Sequence, residues 1–457
     1  MTRAETSKEK TMGLLKEFDS GNSPRRGDDL YRFAEELFPI CRSITGDGIR
    51  ETLTRIKKHI PLQISEVASG TEVFDWTVPR EWNIRDAHIK DSTGARVVDF
   101  KQSNLHVVNY SLPVRGTFSL EQLRPHLHTL PEHPDWIPYR TSYYKEDWGF
   151  CLTHKQMEAL ADGEYEVCID STLADGHLTY GECVIPGRLA DEILISTHAC
   201  HPSLANDNLS GLVVATALAK FLGGRDLRYS YRFLFLPGTI GAITWLARNA
   251  ANVGRVRHGL VLTGIGDAGG FHYKKSRRGD AEIDRAMAHV LRHESEAAEV
   301  LEFSPYGYDE RQYCSPGFNL PVGCLMRSVW GTFPEYHTSA DNLEFIRPEK
   351  LGASLRLCVS VLDVLEKNRR CRNTNPFCEP QLGKRDLYRS RGGASISEEI
   401  HARLWVLNLS DGEHSLLDIA ERSGMSFAAI CSAADILREK GMLVAAPDEA
   451  GADATRE

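Results

Sequence analysis

The chain has 457 residues, more than one compact core usually accommodates, so we expect two to four domains. Hydrophobic residues make up 42% of the chain and charged residues 26%, which is typical of a globular protein and argues against a disordered or fibrous one. The net charge of −9 argues against a broad nucleic-acid surface, because phosphate binding needs a surplus of Lys and Arg.

The sequence carries no membrane or secretion signal. It has no apolar run of about 18 residues, the length that crosses a bilayer. The first residues, MTRAETSKEKTMGLLKEF, are charged throughout and lack the apolar stretch of a signal peptide. The eleven cysteines are irregularly spaced, which is typical of buried thiols in a reducing compartment. A cytoplasmic location is therefore expected.

The N-terminal part of the sequence divides into three segments that differ in composition and predicted structure. Residues 1–28 are polar, and we expect them to be flexible apart from a short amphipathic stretch around Met12–Phe18. Helical spacing of apolar residues begins at Asp29, and a second helix is predicted at Gly48–His59. Residues 69–150 consist of short β-branched and aromatic segments separated by Pro and Gly, which predicts an inserted β-rich domain.

Strands and helices alternate in the main domain, which we expect to comprise residues 29–68 and 151–370. Predicted strands and helices follow one another as Glu192–Ser196, Gly211–Leu222, Tyr231–Leu236, Thr239–Ala250 and Gly259–Thr263. This order predicts an α/β fold with a largely parallel sheet that is buried on both faces. Such sheets bind ligands at the carboxyl ends of their strands, so the polar residues there are the first candidates for chemistry.

Four residues in this region have the side chains that zinc accepts. His198 and Asp267 each end a predicted strand, Asp207 precedes a helix, and His337 lies in the loop EYHTSADN. Singly, such a His is more often structural, and such an Asp is more often a helix cap. Their joint occurrence in this order predicts a metal site.

Five motifs then identify a resemblance. Together they resemble the M28-type zinc aminopeptidases and, more closely, the bacterial DUF4910/DUF2172 aminopeptidase-like family, over roughly residues 29–445. The motifs are CRSITGDGIR at 41–50, THACHPSLANDNLSG at 197–211, PGTIGAITWL at 237–246, HYKKSRRGD at 272–280 and YHTSADNLEFI at 336–346. The resemblance implies an M28-like α/β domain, an inserted small β domain and a C-terminal winged-helix-like domain.

The resemblance also implies roles for the candidate ligands. His198 and Asp267 would bind one zinc ion, His337 would bind a second, and Asp207 would bridge them. The number of ions, one or two, stays open. His201 is a second-choice ligand, and its alternative role is a loop histidine that supports the ligands.

The sequence departs from the M28 pattern at one point. Two adjacent Glu residues follow the equivalent of the strand YRFLFL in M28 enzymes, one as general base and one as ligand, whereas this chain has Gly238 and Thr239. Either the base comes from elsewhere, with Glu335 as the candidate catalytic residue, or hydrolysis is impaired. A missing general base costs about two to four orders of magnitude in rate.

Candidate substrate-binding residues lie in two further segments. Asp309, Glu310 and Arg311 follow the motif YGY, and an acidic residue there would bind the α-amino group of a substrate; the alternative is an exposed turn. Tyr144, in the run TSYYKEDWGF, would line the entrance of the site, or it would pack a domain junction. Arg42 would bind a carboxylate or phosphate, or serve as a helix cap or in an ion pair.

The C-terminal part is predicted to be a separate unit. Residues 371–396 are rich in Pro, Gly and Arg and are expected to be a linker, and residues 397–445 have the outline of a winged helix. From Ser397 to Glu457 there are twelve acidic and five basic residues, a net charge of −7. Since DNA affinity depends on neutralising phosphates, protein contact or homo-oligomer assembly is favoured over DNA binding.

The sequence therefore predicts a zinc-dependent aminopeptidase or related amidohydrolase that acts on a peptide or small amide, with envelope polysaccharide and secondary-metabolite biosynthesis as candidate settings. A metal-binding protein with reduced activity that recognises a peptide or amine is the alternative. A DNA-binding regulator is the third hypothesis, which the acidic charge opposes.

Overall fold

The computed structural model of the protein describes residues 13–20, 25–294, 297–387 and 397–446. The helices are α1 (Leu14–Ser20), α2 (Arg25–Leu37), α3 (Asp47–Lys57), α4 (Leu120–Leu123), α5 (His154–Glu158), α6 (Gly211–Leu222), α7 (Ile240–Asn249), α8 (Glu282–Glu294), α9 (Glu310–Tyr313), α10 (Pro348–Lys367), α11 (Glu398–Leu409), α12 (Leu416–Ser423) and α13 (Phe427–Glu439). The strands are β1 (Gln63–Ala68), β2 (Glu72–Val73), β3 (Trp76–Thr77), β4 (Glu81–Lys90), β5 (Arg96–Asp99), β6 (Val114–Ser119), β7 (Leu127–His128), β8 (Phe150–Cys151), β9 (Glu164–Ala174), β10 (His177–Ile185), β11 (Glu192–His198), β12 (Ser230–Leu236), β13 (Val256–Leu262), β14 (Phe271–Lys274), β15 (Ala298–Leu301), β16 (Val322–Met326), β17 (Arg370–Asn373), β18 (Asp411–Ser415) and β19 (Leu443–Ala445).

These elements fall into two compact units. The larger unit comprises Pro24–Asp284 and Ala297–Leu355. The smaller unit contains the described residues of 13–20, 285–294 and 356–446. In the described part of the chain, no helix has both the length and the apolar character that a bilayer crossing requires.

An eight-stranded sheet forms the centre of the larger unit, with the order β1-β10-β12-β11-β13-β16-β14-β15. Strands β12, β11, β13 and β16 run parallel to one another, and β14 and β15 form a further parallel pair. The pairs β1/β10, β10/β12 and β14/β16 are antiparallel. The predicted α/β fold with a mostly parallel central sheet is confirmed.

Strand β11 shows why this sheet positions a site. All seven of its residues are buried, which is typical of a central parallel strand covered on both faces. His198, its last residue, lies opposite Leu236 at the end of β12. Parallel strands end at the same edge, so the loops after β11, β12 and β13 meet there.

The inserted β region is larger than the sequence analysis predicted. Its four-stranded antiparallel sheet has the order β5-β4-β9-β6, so Glu164–Ala174 belongs to it although it lies beyond the expected boundary at residue 150. The partners of this strand are distant in the sequence, and local composition therefore could not assign it. Leu105–Leu112, a segment rich in β-branched residues, starts with one short helical turn instead of a strand.

The smaller unit has the outline of a winged helix, as predicted. Helices α11, α12 and α13 are accompanied by a three-stranded sheet with the order β18-β17-β19. Strand β17, Arg370–Asn373, overlaps the start of the expected linker 371–396, and it pairs with strands far along the chain. Residues 388–396 lie outside the described residues.

The N-terminal segment contains a helix where the sequence is amphipathic. Helix α1 buries Leu14 and Phe18, which belong to the amphipathic stretch expected around Met12–Phe18. Helix α2 begins at Arg25, before the expected start at Asp29. Residues 1–12 and 21–24 lie outside the described residues.

Helix α8 contacts two helices of the winged-helix outline within the smaller unit. The backbone N–H of Phe427, at the start of α13, donates to Nε2 of His289 on α8, at 3.0 Å. Arg285, also on α8, forms ion pairs with Asp418 and Glu421 of α12.

Candidate metal centre

The centre of the site is the carboxylate of Asp207, which is buried. Its Oδ1 lies 2.8 Å from Nε2 of His198, the buried residue that ends β11. The backbone between these two residues is fixed by Asn208, whose side-chain N–H donates to Thr197 Oγ1 at 2.8 Å and to the Leu262 carbonyl at 3.1 Å. The site is thus built directly on the ends of β11 and β13.

His201 also approaches this carboxylate. Its Nδ1 lies 3.2 Å from Asp207 Oδ2. In the described part of the chain, His198, His201 and Asp207 form one group whose ligand atoms all lie within 4.8 Å of one another. The second-choice ligand of the sequence analysis is therefore a member of the cluster.

Arg42 fixes the loop that carries His201. Its guanidinium donates to the backbone carbonyls of His201, at 2.6 Å, Pro202, at 2.7 Å, and Leu37, at 2.7 Å. Arg42 is only 1% exposed, and burial lowers its pKa to about 10. Its donors are used within the protein, which disfavours the carboxylate- or phosphate-binding role considered above.

His337 reaches the same carboxylate from a distant loop. Its Nε2 lies 3.0 Å from Asp207 Oδ2. The residue has a φ of 57°, a left-handed conformation that non-glycine residues seldom adopt. Two backbone contacts with the inserted region hold this loop: Tyr139 N–H donates to the His337 carbonyl, and Ser339 N–H donates to the Ile137 carbonyl, each at 2.8 Å. The insertion thus helps to position a candidate ligand.

Asp341 binds the backbone segment that carries Asp207. This buried carboxylate accepts the backbone N–H groups of Asn206, at 2.6 Å, and Asp207, at 2.9 Å. Burial, together with the nearby charge of Asp207, raises the pKa of Asp341 to about 7, and the two backbone donors oppose that increase. Asp341 therefore orients the backbone that presents the central carboxylate.

Asp267 lies outside the ligand group. Its Oδ1 accepts from the Gly269 backbone N–H at 2.7 Å and from Ser328 Oγ at 2.8 Å. Its Oδ2 accepts from Asn206 Nδ2 at 2.8 Å and from the Ser328 backbone N–H at 3.2 Å. These bonds engage both oxygens, and Asp267 is not part of the group whose ligand atoms lie within 4.8 Å of one another.

The structure also shows why the position of Gly238 cannot easily hold a larger residue. A Cβ atom built on Gly238 would lie 3.3 Å from His198 Cβ and 3.5 Å from Cys200 Sγ. The Gly238 backbone N–H is directed at that sulfur, at 3.2 Å. The neighbouring Thr239 precedes α7. No carboxylate therefore reaches the cluster from this loop.

Aromatic rings enclose the cluster. Tyr308 stacks on His198, with ring centroids 4.5 Å apart, and Tyr336 stacks on His337 at 4.0 Å. Tyr139 contacts His337 edge-on at 5.2 Å. A small cavity opens beside Asp207, and its other lining residues include Thr263, Met326, Trp330 and Phe333. Such walls exclude water and strengthen electrostatic interactions inside.

Glu335 precedes the cluster loop. It is half-buried, and among the described residues its carboxylate forms no hydrogen bond or ion pair with the three histidines or Asp207. The structure thus places this candidate base in the loop of His337 without joining it to the ligand group.

The other predicted substrate residues differ in exposure. Asp309 and Glu310 are buried, and the Glu310 carboxylate pairs with Nζ of Lys274 at 2.5 Å, so this segment is not an exposed turn. Neither oxygen of Asp309 has a hydrogen-bond partner among the described residues, and burial raises its pKa to about 8. Arg311 is half-buried, whereas Tyr144 is 58% exposed.

The charges within the cluster are strongly coupled. Burial lowers the pKa of His198 despite the opposing effect of Asp207. Burial also disfavours charge on His201, but Asp207 and the adjacent Cys200 outweigh it and raise the pKa of His201 well above its usual value. Burial opposes the ionised form of Asp207 as well, yet the two imidazoles hold its pKa well below its usual range.

This donor set fits a divalent metal. Imidazole nitrogen and carboxylate oxygen are ligands that zinc accepts. Without a cation, the buried negative charge of the Asp207 carboxylate has to be neutralised by protons on the histidines. The carbonyl contacts of Arg42 and the backbone contacts of Asp341 supply the outer support that such ligands need.

Some supporting residues were missed by the sequence analysis. Asp341 lies in the quoted motif YHTSADN, so its proximity to His337 was a usable signal. Tyr139 comes from the inserted region, and nothing in its local sequence indicates a contact with the histidines. Tyr308 precedes the acidic pair that was considered, but its stacking on His198 depends on the tertiary fold.

Comparisons with known proteins agree with this architecture. A Clostridium acetobutylicum protein provisionally named a polysaccharide biosynthesis protein with an aminopeptidase-like domain is 55% identical over 417 residues, which cover 91% of this chain and 96% of that protein. A crystal structure from the same organism, provisionally described as a peptidase, matches with a TM-score of 0.90 and 52% identity, covering 94% of this chain and 100% of the other.

More distant structures share the fold. A zinc aminopeptidase from Bacillus subtilis matches with a TM-score of 0.53 and 13% identity, covering 74% of this chain and 95% of the other. An M28 peptidase precursor from Shewanella amazonensis matches with a TM-score of 0.54 and 12% identity, covering 77% of this chain and 95% of the other. The larger unit therefore has an M28 peptidase-like α/β fold.

Two family models match consecutive parts of the chain. The model described as a domain of unknown function, DUF4910, matches residues 31–368. A winged helix-turn-helix model matches residues 369–445, which include β17. The chain belongs to the DUF4910 family and combines its aminopeptidase-like domain with a C-terminal winged helix.

Proposed function

We propose that this protein is a zinc-dependent, aminopeptidase-like hydrolase that cleaves a peptide or small amide bond. The observation that carries the proposal is the convergence of His198, His201 and His337 on the buried carboxylate of Asp207. The name of its close Clostridium relative, a polysaccharide biosynthesis protein, supports a substrate from the assembly of envelope polysaccharide.

The same residues would hold one zinc ion. His198, His201 and Asp207, whose ligand atoms lie within 4.8 Å of one another, are the principal ligands, and His337, which contacts Asp207 Oδ2, is the fourth. One ion is favoured over two because Gly238 supplies no carboxylate and both oxygens of Asp267 are occupied. When bound, zinc supplies Lewis acidity, which polarises an amide carbonyl and favours ionisation of water.

The protein must also supply a general base. Gly238 has no side chain that accepts a proton, so we assign this role to Glu335, two residues before His337. Its carboxylate is not tied to the ligand cluster and is only half-buried, which leaves it able to take a proton from water.

Metal analysis tests the ligand assignment. Purified wild-type protein is expected to contain one zinc per chain by elemental analysis, and His198→Ala and Asp207→Ala are expected to lose it. The exposed residue His177 provides a matched control, since His177→Ala should retain zinc. Wild-type protein that takes up no stoichiometric zinc would exclude the proposal.

The second candidate is a protein that binds metal and recognises a peptide or amine with little turnover. The absence of a carboxylate at Gly238 and Thr239 favours it. Activity on a panel of aminoacyl amides and short peptides separates the two functions. Chelator-sensitive turnover that falls about 10²- to 10⁴-fold in Glu335→Gln supports the hydrolase and its base. Saturable binding of the same compounds without turnover supports the second candidate.

A further inference from the structure

A second pocket is lined by residues of the inserted region, including Leu173 of β9, and the proposed function does not use it. Its volume is about 170 Å³. Tyrosine rings and an aliphatic side chain form its walls, and charged and hydroxyl groups form its rim. The wall residues used here are Tyr110, Tyr143, Tyr144 and Leu173, and the rim residues are Arg80, Ser142, Lys145 and Glu146.

One wall residue, Tyr144, is exposed and contacts a second exposed aromatic residue, Trp76, which lies next to the pocket. Tyr144 is 58% exposed and Trp76 is 43% exposed, and their rings meet edge-on with centroids 5.3 Å apart. Trp76 belongs to the short hairpin formed by β2 and β3, which also leaves Phe74 60% exposed. Clustered large aromatics on a surface are typical of binding sites, because exposing them to water is unfavourable.

The rim supplies both donors and acceptors without a net charge. Arg80 forms an ion pair with Glu146, and Lys145 pairs with Asp147 at 3.0 Å. A guanidinium beside a carboxylate offers adjacent donor and acceptor groups, and the hydroxyl of Ser142 adds both. A ligand with neighbouring hydroxyl groups can donate a hydrogen bond to the Glu146 carboxylate and accept one from the Arg80 guanidinium. A purely apolar ligand can do neither.

The inner wall leads towards the candidate metal centre. The hydroxyl of Tyr143 lies 2.7 Å from that of Tyr139. The ring of Tyr139 lies 5.2 Å from both His201 and His337. Tyr110 packs edge-on against Tyr143, with centroids 5.5 Å apart, and stiffens the wall. The pocket and the metal centre are thus separated by one pair of tyrosines.

From these features we propose that this pocket binds an uncharged pyranose sugar. A pyranose presents one face of C–H groups, which packs on aromatic rings, and an edge of hydroxyl groups, which matches the neutral donor–acceptor rim. Tyr144, which lines the pocket and is supported edge-on by Trp76, provides the ring on which the sugar packs, and Arg80 with Glu146 binds the hydroxyls. The site does not depend on the proposed hydrolysis, because none of its residues belongs to the metal cluster.

Direct binding tests the proposal. Methyl glycosides of glucose, galactose, mannose and N-acetylglucosamine are titrated against the full chain by saturation-transfer NMR. At least one should bind saturably, and Trp76→Ala and Tyr144→Ala should each weaken it about tenfold, in line with the typical contribution of an aromatic contact. Phe377→Ala, which removes another exposed aromatic residue, should bind as the wild type does.

Two further measurements distinguish this site from the metal centre. His198→Ala is expected to bind the sugar with wild-type affinity while losing zinc, so failure of one proposal leaves the other standing. The sugar proposal is overturned if no glycoside binds saturably, or if both aromatic variants bind as tightly as the wild type. Preferential binding of phenylalaninamide, abolished by Tyr144→Ala, would also overturn it by showing an amino-acid side-chain pocket.

Discussion

His198 and His337 face the two oxygens of a single buried carboxylate, at 2.8 Å from Oδ1 and 3.0 Å from Oδ2 of Asp207. One histidine ends the central strand β11, and the other lies in a loop held by the inserted β region. Two segments far apart in the chain therefore contact the same carboxylate.

Asp341 should matter for metal affinity although it is not a ligand. Asp341→Asn keeps one acceptor and removes the other, so one of the N–H groups of Asn206 and Asp207 loses its partner. We expect zinc affinity to fall about 10- to 100-fold, the usual effect of losing outer support, without unfolding. Competition with a fluorescent chelator measures the affinity. The exposed variant Asp75→Asn is the control, and equal affinity of both variants would contradict the role of Asp341.

Gly238 should not accept a larger side chain without cost. In Gly238→Ala the new Cβ lies 3.3 Å from His198 Cβ, closer than ordinary van der Waals contact, so His198 must move. We expect a loss of about 1 to 3 kcal/mol in the free energy of unfolding, as for other overpacked sites, and weaker zinc binding. Gly254→Ala is the control, because the Cβ atom added at residue 254 would have no neighbouring atom within 4 Å. Urea unfolding compares the two, and equal stability would show that the site adapts freely.

Arg42 should resist conservative replacement. The ammonium group of Lys cannot reproduce the three carbonyl contacts made by the Arg42 guanidinium, so buried carbonyls lose donors. Arg42→Lys is expected to lower the free energy of unfolding by about 2 to 4 kcal/mol. Urea unfolding with chelator present measures this without a contribution from metal.

The control for this change is Arg188→Lys. Arg188 forms a surface ion pair with Asp226 at 2.8 Å, and such pairs contribute about 1 kcal/mol or less. A loss in Arg42→Lys no larger than in Arg188→Lys would show that the loop of His201 does not depend on Arg42.

Because the pKa of His258 is low, we expect the folded protein to lose stability in acid. Burial, with a smaller effect of Arg228, lowers its pKa to about 4, whereas an unfolded histidine titrates near 6.5. The folded form therefore binds fewer protons between these values. Its contribution to stability is complete above pH 6.5 and is lost as the pH falls towards 4, by roughly 3 kcal/mol.

Urea unfolding at pH 7, 5.5 and 4.5 measures this dependence. His258→Gln does not titrate, so its stability should fall less steeply than that of the wild type over this range. His177→Gln, at an exposed position, should follow the wild type. Parallel pH profiles for wild type and His258→Gln would exclude the assignment.

The sequence by itself determined the fold class, because continuous apolar strands alternating with helices specify a parallel sheet and leave polar residues at one edge. It also selected His198, Asp207 and His337, since each follows a strand or lies in a polar loop. It could not show that Asp267 accepts hydrogen bonds from Asn206 and Ser328, because no local pattern links these residues to it.

Only the tertiary structure decided which side chains converge. Strand β9 joined the inserted sheet and β17 joined the winged helix because their partners are distant in the chain. Tyr139 reached the histidines from the inserted region for the same reason. Periodicity records which face of an element is buried, but hydrogen bonds and ring contacts between distant segments arise only when the elements pack together.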